Sequence, residues 1–284
     1  MKMKGWLAAL LLHTAWAQAT LAQSPLPDLI GSRDITISAG QWPPYLAEEL
    51  KHQGMIAHMI RDIFADEGYR VRFVFLPWPR AYLEAAQARH QATAVWMHKD
   101  ERTADFLYSE PVLQEQHVFF HLKQTPFEWQ TLEDLRGLIL GGVHEFSYGP
   151  DFDRALEEGV FQIERVSDDR QNFHKLLRER VAVYPQEINV GYSALWRDFS
   201  VEDASKITHH TKPLLNNLSY VLFPIRGQHS EALRARFNAR LQAYRDSGRY
   251  DTYFQRLREG YYWGERLQEY VAPDAGILVP APAP

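Results

Sequence analysis

Several side chains along this sequence are of types that hold small molecules. Arg102 closes the charged run His98 to Arg102. An arginine carries a fixed, always-charged fork that meets a carboxylate through two parallel hydrogen bonds, but one in such a run is equally an ordinary solvated charge. Trp42 and Tyr45 in Gln41-Trp42-Pro43-Pro44-Tyr45, Trp78 in Leu76-Pro77-Trp78-Pro79-Arg80, and Trp96 at the end of an apolar run offer flat faces for a planar or cationic solute. Each of these aromatics also suits a core. Arg80 reads as a second anion contact or as a surface charge. Glu145-Phe146-Ser147-Tyr148-Gly149 falls between a strand pattern and a helix pattern, where backbone N–H groups and the helix dipole favour an anion. A serine there is also an ordinary N-cap.

Signals for covalent or metal chemistry are thin. His209-His210, and His117 with His121, lack the acidic or thiol companions of a zinc site, and the histidines read mostly as surface or rim residues. No Gly-x-Ser-x-Gly elbow or phosphate loop occurs, and Gly141-Gly142 alone is no dinucleotide fingerprint. No cofactor and no metal are expected.

The elements that must position these residues alternate between strand and helix patterns. Asp34 to Ser38 alternates as a strand, and the two prolines after it force a loop. Leu50 to Glu67 carries Met55, Ile56, Met59, Ile60 and Ile63 at helical spacing, and Gly68 closes it. Val71 to Leu76 is the next strand, which makes the opening a βαβ unit. The alternation continues with a helix over Pro79–Arg89, a strand over Ala92–Met97, and a strand at Val118–Leu122. A second series follows: strand Leu138–Val143, helix Tyr148–Glu158, strand Phe161–Val166, helix Asn172–Arg180 and strand Val181–Tyr184. Leu218–Pro224 is a strand, Ser230–Ser247 a long amphipathic helix capped by Gly248, and Tyr250–Leu257 a last helix.

The ends of the chain indicate its compartment. Residues 1–22 show Lys2 and Lys4, an apolar run from Trp6 to Leu12 and then small residues, the pattern of a secretory signal peptide. Cleavage after Ala22 fits through Thr20 and Ala22, and cleavage after Ala17 fits through Ala15. The apolar run is too short for the roughly 20 residues of a membrane span. With no cysteine among 284 residues, the chain is neither a disulfide-stapled domain nor a lipoprotein held by a lipidated cysteine. A periplasmic monomer without membrane insertion is the expectation. Loss of the leader removes two lysines and no acid, moving the formal charge from −5 to −7. That sign disfavours a nucleic-acid partner, since such affinity rests on lysine and arginine neutralising phosphates. Residues 270–284, rich in Ala and Pro, have too little to bury and are expected to be disordered.

Five stretches in order carry a resemblance. They are Trp42-Pro43-Pro44-Tyr45; Glu101-Arg102 ahead of Phe106-Leu107-Tyr108-Ser109-Glu110-Pro111; Leu132-Glu133-Asp134-Leu135-Arg136-Gly137; Tyr220-Val221-Leu222-Phe223-Pro224; and Ser247-Gly248-Arg249-Tyr250-Asp251. From Asp34 to about Tyr262 the chain resembles the family 3 extracellular solute-binding proteins, receptors that feed polar amino acids and similar solutes to ABC importers. The resemblance implies an α/β, type 2 periplasmic-binding fold with two α/β lobes, two crossing segments near Val118–Leu122 and Leu214–Leu218, and a ligand cleft between the lobes. The first lobe would comprise 32–120 and 216–265, the second 121–215.

The same resemblance implies roles. Arg102 matches the carboxylate-binding arginine, Ser147 and Tyr148 the loop that contacts the ligand carboxylate, and Glu187 the position of an aspartate that binds the ligand ammonium. Family members that bind amino acids carry a small hydroxyl residue and a threonine where this chain has Met97 and Lys99, so the ligand is held differently or is not a standard α-amino acid. The ligand-binding set expected is therefore Trp42, Tyr45, Trp78, Trp96, Arg102, Ser147, Tyr148 and Glu187. The expected function is capture of a small polar solute by hinge closure for an importer permease or a sensor protein. The alternatives are a cyclohexadienyl-dehydratase-like enzyme with Glu187 as general acid, a sensory module without transport, and a scaffold whose cleft has lost its ligand.

Overall fold

The computed structural model describes residues 33–144 and 146–263; the signal peptide and the 270–284 tail lie outside the described residues. In chain order the elements are β1 (Asp34–Ala39), α1 (Met55–Asp66), β2 (Arg70–Phe75), α2 (Trp78–Ala86), β3 (Ala92–Met97), β4 (Phe106–Tyr108), β5 (Leu113–Leu122), β6 (Ile139–Val143), α3 (Pro150–Glu157), β7 (Gln162–Val166), α4 (Asp169–Leu177), β8 (Tyr184–Glu187), α5 (Ile188–Asp198), α6 (Val201–Ser205), β9 (Ile207–His209), β10 (Leu215–Pro224), α7 (Ser230–Asp246) and α8 (Arg249–Arg258).

Two groups of parallel strands result. In the first, β1 pairs with β2 and β3 in parallel, giving the order β2-β1-β3 at one end of the main sheet. In the second, β6 pairs with β7 in parallel, and Leu140 of β6 makes a parallel bridge to Val183, the residue before β8. The long strands β10 and β5 lie between the groups, β10 antiparallel to β3 and β5 antiparallel to β8. They pair with each other from Leu215 opposite His117 to Ser219 opposite Leu113.

Alternation along β5 explains the packing around it. Val118, Phe120 and Leu122 face one way, into a buried cluster with Phe173 and Leu176 of α4 and Ile188, Tyr192 and Leu195 of α5. Phe119 faces the other way and packs with Trp129, Tyr148 and Phe152. A strand covered on both faces reads as a continuous apolar run, as 118–120 does.

Element boundaries depart from the sequence reading where backbone chemistry intervenes. The first helix begins at Met55 rather than Leu50, because Gly54 sits at φ 96°. A β-carbon there would lie 2.5 Å from the Tyr45 carbonyl oxygen, so only glycine lets the loop close on the helix start. The helix expected at Tyr148–Glu158 starts at Pro150, and the one expected at Asn172–Arg180 is α4, capped by the Asp168 side chain, which accepts the Gln171 N–H. The strand expected at Val181–Tyr184 runs instead over Tyr184–Glu187. Pro185, which lacks a ladder donor, is accommodated because β8 ends the sheet path. The helices α5 and α6 were not foreseen.

Candidate functional site

Seven of the eight expected residues lie at, or just past, the C-terminal end of a parallel strand, where open α/β sheets hold ligands; the eighth, Glu187, ends a strand that runs antiparallel to β5. Trp42 and Tyr45 follow β1, Trp78 follows β2, and Trp96 and Arg102 end and follow β3. Ser147 and Tyr148 follow β6, and Glu187 is the last residue of β8. The structure gathers them into three sets.

In the first set the Trp42 and Tyr45 rings touch in a tilted arrangement, with centroids 4.8 Å apart and planes at 48°. Tyr45 is fully buried, and its hydroxyl donates to Glu187 Oε1 at 3.0 Å. Asn189 Nδ2 donates to the Tyr45 hydroxyl at 2.7 Å and to Glu187 Oε1 at 3.3 Å, and the Val190 N–H donates to Oε2 at 2.9 Å. Glu187 thereby caps α5. It is 1 % exposed. Burial disfavours the charged form more than these hydrogen bonds favour it, and pushes its carboxyl up to about 8.

The second set is aromatic and largely self-satisfied. Trp78 lies over Gly40, where a β-carbon would come within 2.1 Å of the indole. It meets Trp96 edge-on at 5.0 Å, and Tyr82 meets Trp96 from another side at 5.6 Å. The Trp96 indole N–H is taken by Thr93 Oγ1 at 3.0 Å. Arg102 places its guanidinium 4.8 Å from the Trp96 ring centroid and donates one arm to the Met97 carbonyl at 2.6 Å.

The third set follows β6. Ser147 is exposed; its hydroxyl donates to Asp153 and accepts the Gly149 N–H at 3.3 Å. The N-cap of α3 is Gly149, not Ser147. Tyr148 is buried with Phe119 and Phe152, and its hydroxyl accepts the Val143 N–H at 2.9 Å. A cavity of about 310 Å³ connects this loop to the end of β3, with Met97, Lys99, Ser147, Leu215, Asn217 and Tyr220 in its walls.

The strand register reveals polar residues that were not foreseen. His117 of β5 stands opposite Glu187 of β8 and Leu215 of β10, so these three share one face of the sheet. Glu115, two residues earlier on the same face, stands opposite the cavity residue Asn217. Glu115 is 3 % exposed, its carboxylate accepts the Ser219 hydroxyl, and burial raises it to about 7. His117 is 1 % exposed, which corrects its reading as a surface or rim residue. Neither of its ring nitrogens has a hydrogen-bond partner, and burial lowers it to about 4. The signal available in sequence was Leu113-x-Glu115-x-His117-x-Phe119, whose period of two sets the ionisable pair on the side of apolar neighbours. Among the described residues no group of His, Asp or Glu is arranged to hold a metal ion.

Two crossed strands between two parallel groups, with side chains converging from the strand ends of both, define the type 2 periplasmic-binding fold, and solved structures of that fold match. The probable amino-acid ABC transporter extracellular-binding protein ytmK from Bacillus subtilis aligns with a TM-score of 0.67 at 16 % identity over 82 % of this chain and 99 % of that one. An ancestral arginine-binding protein bound to arginine aligns with a TM-score of 0.63 at 13 % identity, over 79 % and 98 %. A histidine kinase sensor domain with similarity to periplasmic binding proteins aligns with a TM-score of 0.62 at 16 % identity, over 82 % and 97 %. The chain belongs to the bacterial extracellular solute-binding proteins, family 3, whose model matches residues 35–257. No sequence match to a curated protein is found. Among the described residues no helix is long and apolar enough to cross a membrane.

Proposed function

We propose that this protein is a periplasmic receptor that closes two α/β lobes, residues 32–120 with 216–265 and residues 121–215, around a small polar, amino-acid-like solute. The observation that carries this reading is the Tyr45–Glu187 hydrogen bond, which joins the loop after β1 to the end of β8 through a buried, hydrogen-bonding carboxyl. A solute ammonium entering there would replace the Tyr45 hydroxyl on Glu187, while Trp42 supplies a stacking face and Arg102 a fork for a carboxylate. Closure is driven only by the solute's better binding to the closed state than to the open one. Names of fold relatives that mention amino-acid transport and arginine support this class of ligand. Delivery to an ABC permease follows from the family's usual role, and the sensor-domain relative favours signalling as the other output.

Isothermal titration against amino acids, opines and short polyamines tests the reading, with saturable binding of at least one expected; no binding to any would remove it. A second reading, acid catalysis, has the buried Glu187 as its support, because a carboxyl held near 8 keeps a proton to give at neutral pH. Consumption of prephenate or arogenate by the purified protein would favour that reading over capture.

A further inference from the structure

The strand ends and the segments just after them account for the eight residues above, but Glu115 and His117 lie within β5. Burying an ionised carboxylate without a cation costs several kcal/mol, and a buried imbalance of this kind calls for a partner. Within the described residues the hydrogen-bonding neighbours of Glu115 and Glu187 are Ser219, Tyr45, Asn189 and the Val190 N–H, none of them cationic. His117 adds an independent observation: a neutral imidazole, between Glu187 and Leu215 in the register, with both nitrogens buried and unmatched. The wall of the cavity described above includes Leu215 and Asn217, which stand opposite His117 and Glu115 in the strand register.

We infer that Glu115 and His117 form a second recognition subsite, which takes a further cationic nitrogen of the solute beyond the one held by Glu187. This rests on the solute-capture reading and deepens it. The solute class is one with two cationic nitrogens, either a basic amino acid or a short diamine. One nitrogen meets Glu187; the other meets Glu115 and the unprotonated ring nitrogen of His117, leaving the ring N–H for an acceptor on the solute. Lys99, which also lines the cavity, brings positive charge, which suits a carboxylate and favours the amino acid over the diamine.

Proton linkage gives a readout that a merely structural role would not move. The titratable groups around the subsite are Glu115 and His117 on β5, Glu187 on β8 and Tyr45 on the loop after β1; β10 contributes the neutral Asn217 and Ser219, and its Tyr220 lines the adjoining cavity with Lys99. A cation arriving on carboxyls raised to about 7 and about 8 displaces protons at pH 7. Affinity therefore rises with pH through that range, and the binding heat depends on the buffer.

Calorimetry at pH 7 in phosphate and in Tris, with L-ornithine, L-arginine, putrescine and L-norvaline, tests the subsite. L-norvaline is L-ornithine without the side-chain amine. The expected result is at least 10-fold tighter binding of L-ornithine or L-arginine than of L-norvaline, with proton release. Glu115→Gln should abolish that preference and reduce the proton release. Binding of putrescine alone would support the subsite with the diamine as its source. L-norvaline binding as tightly as L-ornithine would overturn the subsite and leave solute capture standing; no binding by any solute in the wider panel would overturn both. Should Glu115→Gln fail to fold, the L-ornithine to L-norvaline ratio and the proton release of the unaltered protein decide the question.

Discussion

The end of β3 and the middle of β5 treat buried polarity in opposite ways. Around Trp96 polar atoms find partners within the protein: the indole N–H goes to Thr93, one guanidinium arm of Arg102 goes to Met97, and the rings of Trp78, Tyr82 and Trp96 meet edge to face. Around His117 two carboxyls and an imidazole are buried with no cation and with both ring nitrogens unmatched. Polar groups satisfied internally contribute to stability, whereas groups left wanting cost stability and are ready for a ligand. On the proposed reading, the aromatic end frames the cleft and the acidic centre is its recognition element.

Substitutions can break that contrast. The largest effect is expected from Glu187→Gln, which removes the charge partner of the solute ammonium: affinity should fall on the order of 100-fold in calorimetry, with the fold retained by circular dichroism. Trp96→Ala should act on stability instead, lowering the unfolding free energy by about 2 kcal/mol in urea titration, below the full cost of a buried tryptophan because this one is partly exposed. If Trp96→Ala left stability unchanged, the aromatic end would not be the frame.

The pH dependence sharpens the comparison. Glu187, raised from an ordinary 4.5 to about 8, keeps in the native chain a proton that the unfolded chain loses above about 4.5. Its contribution to stability is complete below that pH and is lost as pH rises through about 8. Relative to Glu187→Gln, the unaltered protein should lose stability from pH 5 to pH 8, by at most about 1.4 kcal/mol per pH unit. The smallest effect is expected from His117→Leu, which removes two unmatched buried nitrogens. It should raise stability by about 1 kcal/mol at pH 7. The gain should widen as pH falls from 6.5 towards 4, because the unfolded chain's histidine takes up a proton that the buried ring, lowered to about 4, refuses.

Much of this was legible in the sequence. Alternation located β1 and β2, helical spacing located α1 and α7, and motif order placed Arg102, Ser147 and Glu187 at strand ends. Three things were hidden, each for a physical reason. Pro185 disguised β8, since a proline argues against a strand unless the strand lies at the end of a sheet. The run Gln114-Glu115-Gln116-His117 disguised the first half of β5, because its burial comes from residues far along the chain, such as Phe146, whose ring centroid lies 6.0 Å from that of His117. Tyr148 read as a ligand contact from its place in the loop, yet the structure buries it with Phe119 and Phe152, a packing that local sequence does not encode.

A crystal structure of the protein with a solute shown by calorimetry to bind would show directly whether Glu187 receives it. The solute nitrogen should lie within hydrogen-bonding distance of the Glu187 carboxylate, in place of the Tyr45 hydroxyl, with the solute between Trp42 and the loop of Ser147. A solute seated elsewhere, with the Tyr45–Glu187 hydrogen bond intact at saturation, would contradict that role for Glu187.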